Sequence, residues 1–223
     1  MVTSVVVASL GAAGLLWVVI ALTWRRLVNA IGIEGLTAIG LISSLHFVVS
    51  YASRLAGNVI ASVTGPFYIF IAGIGNEGLT STLMAALVVL VPRPGVVTLS
   101  SLTVFLLNAT FTGQFGVADV LFVSVSIALA EGCLAATGVT STSSFRMPRQ
   151  RPTLSMLLTA AGAIGLANGG TLFAQYCLSQ ALYRLYFPLW YVVAVSLVTG
   201  VAYGAVGAAA GTLLGFQLRR TAP

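Results

Sequence analysis

Long apolar stretches alternate with short polar or arginine-bearing segments along this chain. Seven of these stretches are predicted to be helical, and most reach the ~20 residues that cross a bilayer. The alternating polar and apolar residues of a membrane β-barrel strand are not seen. The pattern predicts an all-α, polytopic membrane bundle that forms a single integral membrane domain over residues 1–223. The predicted spans cover residues 3–23, 33–53, 67–91, 96–112, 117–138 and 154–177, and a seventh ends near Phe216.

The composition agrees with this class of protein. Apolar residues make up 58% of the chain and charged residues only 6%, and the gaps between spans are too short for a soluble domain. The net charge of +6 comes from ten basic residues, all of them arginine. These arginines lie at the ends of spans rather than on one surface, so they indicate membrane topology and argue against nucleic-acid binding.

The arginines also predict an orientation, because cytoplasmic loops of membrane proteins are enriched in basic residues. With seven spans, eight of the ten arginines fall on one side; the exceptions are Arg54 and Arg184. We therefore expect an external N-terminus and a cytoplasmic C-terminus.

Glycines mark the places where helices should pack closely. In the last span, residues 200, 204, 207, 211 and 215 are glycines at steps of three and four residues, which line one helix face. Gly165 and Gly169 give the sixth span a similar narrow face. Glycines at 73, 75 and 78 flank Asn76 and Glu77, where a membrane helix that lines a cavity can depart from regular geometry.

Polar side chains inside the spans are the candidates for a ligand site, since an unmatched carboxylate in hydrocarbon costs several kcal/mol. We expect an outward-facing pocket between spans three, four and six for a compact organic ligand, with a cationic aromatic molecule among the candidates. Its charge, hydrogen bonds and aromatic faces would come from Glu77, Asn76, Asn108, Asn168, Tyr68 and Tyr176.

Each of these residues also has a purely structural interpretation. Asn108 and Asn168 could bond a neighbouring helix, and Glu77 could pair with Arg54. Glu131 is predicted to lie deeper, towards the cytoplasm, as a pocket acid, a coupling residue or a protonated packing residue.

Catalytic and metal-binding patterns are not found. The chain has one histidine, His46, and its two cysteines, Cys133 and Cys177, lie inside predicted spans. Neither an HExxH nor a GxSxG motif occurs. We therefore predict a protein that is not an enzyme and that carries no metal and no cofactor.

Several segments resemble the substrate-binding S components of energy-coupling factor (ECF) vitamin transporters, nearest to the thiamine or hydroxymethylpyrimidine-precursor type. The resemblance covers residues 36–138, with the glycine-rich last span in support. The chain departs from that type in two ways. It has an additional N-terminal helix, residues 1–30, before a six-helix core, residues 31–223. It also has serine at positions 100 and 101, where that type tends to have an acid. The similar segments are Gly65-Pro66, Arg93-Pro94-Gly95, Thr98-Leu99-Ser100-Ser101, Asn108 to Gly116 and Ala128-Leu129-Ala130-Glu131-Gly132.

The resemblance implies a subunit of the plasma membrane of a prokaryote that captures a vitamin-like molecule, with thiamine-related compounds favoured. Its partners would be a transmembrane coupling protein and two ATPase subunits. Carried over from the family, the docking residues would be Ala38, Gly40 and Ser44. The alternatives are a self-sufficient secondary transporter or channel, an S component for a metal ion, or an intramembrane enzyme with Glu77 and His46 as acid and base.

Overall fold

The computed structural model describes residues 2–113, 116–140 and 152–221. The described chain is all α-helical and consists of six helices. Their bounds are α1 Val2–Thr64, α2 Tyr68–Leu90, α3 Val96–Thr112, α4 Val117–Ala136, α5 Leu154–Tyr183 and α6 Leu189–Thr221.

Helix α1 contains both of the first two predicted spans, separated by a break at Gly32. Gly32 has a φ of 76° and a ψ of 171°, which is not helical and is accessible to glycine without strain. The indole of Trp17, in the arm before Gly32, donates to Ser124 Oγ at 2.8 Å. Because Ser124 lies in the middle of α4, this arm runs back along the bundle, in the direction opposite to the second arm.

The second arm of α1 is longer than predicted. The second span was predicted to end at residue 53, and this bound was wrong, because helix α1 continues to Thr64. Gly57 is buried there, and a Cβ at this position would lie 3.6 Å from the Cβ of Ala72 in α2. Packing against α2 therefore extends the helix by nearly three turns. The chain then turns at Gly65, whose φ is 57°.

Helix α2 is not regular throughout. Between two α-helical parts, residues Ile74–Leu79 form a π-helical turn that contains Asn76 and Glu77. A second π-helical segment, Ser196–Tyr203, interrupts α6. The two segments contact each other, since a Cβ built at Gly78 would lie 4.0 Å from the carbonyl oxygen of Tyr203. Such segments are frequent at functional sites.

The glycine face of α6 packs as predicted. A Cβ at Gly204 would lie 3.1 Å from Asn168 Nδ2 and 3.4 Å from Gly165 Cα in α5. At Gly207 and Gly211 an added Cβ would overlap the carbonyl oxygens of Gly78 and Thr82 in α2. Helix α6 is therefore held against α2 and α5 by close backbone contact that any larger side chain would prevent.

The larger of two apolar clusters in the described residues lies at one end of the bundle, and a smaller one packs Val125 of α4 against Ala174 and Leu178 of α5. The buried members of the larger cluster come from α1, the end of α2, the start of α3, the end of α4, the start of α5 and the second half of α6. Examples are Leu87, Val96, Leu134, Ile164 and Ala208. The turn with Arg93 and the helix end with Arg219 and Arg220 belong to the same end of the bundle. This end is closed by packing, which leaves room for a cavity towards the other end.

Five of the helices are long and apolar enough to cross a membrane, and α3 is shorter, with 17 residues. The chain is thus a multi-pass membrane protein by helix length and hydropathy. The predicted polar and basic loop around residues 140–153 lies mostly outside the described residues.

Candidate functional site

A polar cavity lies inside the bundle and is surrounded by α1, α2, α3, α4 and α5. Its volume is about 260 Å³. We call it the central cavity. The polar side chains that line it are His46, Ser50, Arg54, Asn76, Glu77, Thr80, Ser81, Ser101, Asn108, Ser126, Asn168, Thr171 and Gln175. A cavity inside a membrane bundle that is lined by this many polar side chains is a candidate ligand site, because polar groups within a membrane are costly and mark substrate pathways.

Four of the predicted ligand residues meet in this cavity. Asn76, Glu77, Asn108 and Asn168 all line it, although they belong to three different helices. The predicted convergence of spans three, four and six is therefore present in the fold. Whether these side chains bind a ligand stays a prediction.

The central cavity brings together side chains of opposite charge. Glu77 is half-buried, and the amide of Asn76 donates to its Oε1 at 2.8 Å. Arg54 is exposed, and its Nη2 donates to Asn108 Oδ1 at 3.4 Å. Both charged side chains therefore line the same cavity, Glu77 from α2 and Arg54 from α1.

Other hydrogen bonds fix the walls of the cavity. Asn168 Nδ2 donates to Ser81 Oγ at 2.6 Å and so joins α5 to α2. Asn108 Nδ2 donates to the carbonyl of Val104 in its own helix at 3.0 Å. Asn168 therefore bonds a neighbouring helix, as its structural interpretation predicted, and it also lies in the cavity wall.

Two further chambers adjoin the central cavity. One, of about 450 Å³, shares His46, Arg54 and Asn108 with it and is also lined by Asp119 and Phe122 of α4. We call it the α4 chamber.

The other chamber, of about 230 Å³, shares Arg54, Asn76 and Glu77 with the central cavity and also touches Tyr68. We call it the α2 chamber. Arg54 lines all three spaces. The volume of the α4 chamber falls in the ~300–1,000 Å³ range of sites for small organic molecules.

The central cavity has a polar part and an apolar floor. The floor consists of Met84, Val97, Leu134 and Ile164. The last three belong to the buried core at the arginine-bearing end of the bundle, and Met84 packs against it. Met84 follows Glu77 by seven residues, or about 10 Å along the helix. A molecule in this cavity would therefore meet charge at one end and hydrocarbon at the other.

Three of the predicted ligand residues do not line the central cavity. Tyr68 lies in the adjoining α2 chamber. The ring of Tyr176 packs edge-on against Phe187, at a centroid distance of 4.9 Å, and against Tyr191, at 6.1 Å. Tyr176 is thus part of an aromatic cluster beside the loop that precedes α6.

Glu131 belongs to α4, and its carboxylate lies at the arginine-bearing end of the bundle, beside the start of α3. Its Oε1 accepts from the backbone N–H and the hydroxyl of Thr98 at 3.0 and 3.1 Å, and its Oε2 accepts from the Gly95 N–H at 3.3 Å. The cap position of α3 is Gly95, which has no side chain of its own. A carboxylate from α4 therefore satisfies backbone donors that a cap residue would normally bond.

Sequence analysis did not assign Arg54 and His46 to the site. Arg54 was used only as a topological marker and a possible pair for Glu77, and His46 entered as the base of the intramembrane-enzyme alternative. The signal that could have found them is spacing, since His46, Ser50 and Arg54 recur every four residues and share a helix face. All three line the central cavity.

The predicted docking residues differ in exposure. Ser44 is exposed and its hydroxyl donates to the carbonyl of Gly40, whereas Ala38 is partly buried against the core. No side chain or backbone atom of the described chain lies within 4 Å of a Cβ built at Gly40. A side chain added at Gly40 would therefore meet no other helix of the described chain. The docking role of Ala38, Gly40 and Ser44 stays a prediction.

No group of three or more His, Cys, Asp or Glu side chains that could hold a metal ion is found among residues 2–113, 116–140 and 152–221.

Scans against protein-family models, curated proteins and solved structures each found no match to the chain.

Proposed function

We propose that the chain is a membrane transport protein that binds a small polar organic molecule in the central cavity. The observation that carries this proposal is the cavity itself, where polar side chains of five helices surround about 260 Å³. A bundle whose only task was packing would fill this space with apolar side chains, since buried polar groups are costly unless they are paired.

The finer proposal is a substrate-binding S component of an ECF-type importer, with seven membrane-crossing segments. The second arm of α1 together with α2–α6 makes a six-helix unit, and the first arm of α1 supplies the additional N-terminal helix. The core closes the arginine-bearing end, which agrees with a cavity that receives its ligand from outside. The outward-facing Gly40 and Ser44 leave a small-residue face for a coupling protein.

Two glycine variants test the finer proposal as a matched pair. Gly40→Leu should fold, keep the cavity and yet lose the co-purifying coupling protein and ATPase subunits, because a side chain added at Gly40 would meet no other helix of its own chain. Gly204→Leu should lose the folded bundle, because its Cβ meets α5. Size-exclusion chromatography shows whether each variant is folded, and mass spectrometry of the purified complex shows which subunits co-purify with it. Retention of ATPase subunits by Gly40→Leu would exclude this docking face.

The orientation can be tested by single cysteines with a membrane-impermeant thiol reagent. Pro94 and Tyr186 are both exposed and lie at opposite ends of the bundle. Pro94→Cys should be labelled only after the cells are opened, and Tyr186→Cys in intact cells. The reverse result would invert the topology and exclude uptake from outside through this cavity.

The second candidate function is a self-sufficient secondary transporter or channel. The opposite charges of Arg54 and Glu77 in one intramembrane space favour it, because ionisable residues in membranes often mark ion or proton pathways. Liposomes that contain the purified chain alone distinguish the two functions. Accumulation of solute without ATPase subunits supports this alternative, and binding without accumulation supports the S-component proposal.

A further inference from the structure

We infer that four uncharged polar side chains between the central cavity and the α4 chamber bind a neutral group of the ligand that both donates and accepts hydrogen bonds, such as an amide. They are His46 of α1, Ser101 of α3, Ser126 of α4 and Gln175 of α5, and we call them the junction cluster. This inference rests on the proposed function. It concerns one group of the ligand and not the net charge of the whole molecule.

The junction cluster lies where the two spaces adjoin. Six residues line both the central cavity and the α4 chamber, and all six side chains are polar. They are the four members of the cluster together with Arg54 and Asn108. Polar side chains from four helices therefore meet at this boundary, whereas the apolar lining residues each belong to one space alone.

The four members of the cluster are open to a ligand. All four are half-buried, and among the described residues no hydrogen bond joins their side chains to another protein atom. Nearby serines differ, since Ser100 is hydrogen-bonded to Ser43 of α1 and Ser124 donates to a carbonyl of its own helix. Polar groups inside a membrane that no protein atom satisfies need a partner of another kind, which a bound molecule can supply.

The charged residues around the cluster do not fix the net charge of the ligand. Arg54 donates to Asn108 and has a further interaction besides. Glu77 accepts from Asn76 and lines the central cavity, and Asp119 lines the α4 chamber together with Arg54. The adjoining spaces thus contain both signs of charge, and a charged group elsewhere on the ligand is compatible with them.

The chemistry of the cluster selects the group that lies against it. Hydroxyl and amide groups both donate and accept, and a neutral imidazole donates through one nitrogen and accepts through the other. An amide of the ligand has the same property, so it can use donors and acceptors of the cluster together. A carboxylate only accepts and an ammonium group only donates, so each leaves part of the cluster without a partner.

Apolar surfaces on both sides of the cluster suit the body of the ligand. Met84 and Ile164 belong to the floor of the central cavity, and Phe122 and Val123 line the α4 chamber. Sites for small molecules are mostly apolar, with a few polar groups that fix orientation. The junction cluster supplies these polar groups for an amide that is carried on a small ring or a short chain.

Nuclear magnetic resonance with isotope-labelled histidine tests the inference on the full-length protein in detergent, because His46 is the one histidine of the sequence. The probes are benzamide, benzoate, benzylamine and toluene, which share one ring and differ in the attached group. Benzamide donates and accepts, benzoate only accepts, the benzylamine cation only donates, and toluene does neither. We expect benzamide to shift the imidazole nitrogen signals of His46 with an apparent affinity at least tenfold tighter than that of each other probe.

Variants connect the binding to the other three members. Gln175→Leu, Ser101→Ala and Ser126→Ala should each weaken benzamide binding at least threefold and leave toluene unchanged, because each removes hydrogen-bonding groups. Gln217→Leu and Ser62→Ala are matched controls on exposed residues and should bind benzamide as the unaltered protein does. Isothermal calorimetry measures the affinities, and thermal unfolding shows that each variant is folded. The resonance experiment on the unaltered protein needs no variant, so it decides the inference even if a substitution prevents folding.

The outcomes separate this inference from the proposed function. His46 signals that respond to benzoate, benzylamine or toluene as strongly as to benzamide overturn the inference, and so does benzamide binding that none of the three variants weakens. Signals that benzamide does not shift overturn it as well. A co-purifying molecule without a group that both donates and accepts, identified by native mass spectrometry, overturns the inference but supports a solute-binding protein. The proposed function itself fails only if the complete complex takes up no solute and no solute binds to the chain.

Discussion

Two glutamates of this bundle look alike in the sequence, since each lies in an apolar span beside a glycine, but they occupy different environments. Glu131 accepts three hydrogen bonds, two of them from the backbone at the start of α3. Glu77 accepts from the neighbouring Asn76 and faces the central cavity. The difference indicates that an intramembrane carboxylate can serve either the fold or the ligand, depending on the donors that surround it.

The physical basis of the contrast is the location of the donors. The first N–H groups of a helix have no partner within the helix and carry the positive end of its dipole. Glu131 is stabilised because these groups are fixed in the folded structure. Glu77 lies in a π-helical turn in the middle of α2, so it has no helix end to bond and remains directed at the cavity.

The largest expected effect is on stability at Glu131. Glu131→Ala leaves the donors of Gly95 and Thr98 without their acceptor, and we expect a loss of about 3 kcal/mol in the free energy of unfolding. Glu131→Gln keeps one acceptor oxygen and should lose clearly less. Thermal unfolding in detergent measures both. An alanine variant as stable as the unaltered protein would remove the cap role of Glu131 and the contrast with Glu77.

The next effect is on binding at Glu77. Glu77→Gln keeps the size of the side chain and can still accept from Asn76, so we expect a change in the free energy of unfolding of less than about 0.5 kcal/mol. Ligand affinity should fall at least tenfold, which is about 1.4 kcal/mol. Thermal unfolding and calorimetry on the same preparation check the two values. A stable variant with unchanged affinity would exclude Glu77 from the site.

A smaller effect isolates one bond of the Glu131 cap. Thr98→Val removes the hydroxyl donor and keeps the backbone N–H, so we expect a loss of about 1 kcal/mol in the free energy of unfolding. In the Glu131→Ala background the same substitution should have little effect, because its acceptor is already gone. Additive losses in the double variant would show that the two residues do not act through a shared hydrogen bond.

The smallest effect concerns a neutral bond between helices. Ser43 and Ser100 are fully buried and their hydroxyl oxygens are 2.8 Å apart, which joins α1 to α3. Ser43→Ala should cost only about 0.6 kcal/mol, the average for hydrogen bonds between membrane helices. Thermal unfolding of Ser43→Ala and of Glu131→Ala, measured side by side, compares the loss of a neutral acceptor with the loss of a charged one. A loss as large as that of Glu131→Ala would mean that charge is not what distinguishes the cap.

Most of the fold could be predicted from the sequence alone. The bounds of α3, residues 96–112, were predicted as observed, and the glycines of α6 correctly indicated close contact with a neighbour. These properties follow from local pattern: an apolar run must be helical in a membrane because its backbone has no other hydrogen-bond partners, and glycines at helical spacing expose the backbone on one face. The helical residues 55–64 were not predicted, because their helix packs against α2, which the local pattern does not contain.

The site required the tertiary structure. The sequence by itself determined which polar side chains lie inside the membrane, because their cost there depends only on the apolar residues around them. It could not determine which of them share a space. Glu131 accepts hydrogen bonds at the start of α3 because the turn at Gly95 places α3 beside α4. Glu77 and Arg54 line the same cavity because the second arm of α1 lies beside α2. The role of each carboxylate was therefore decided by long-range packing, which supplies the donors and charges that no local pattern contains.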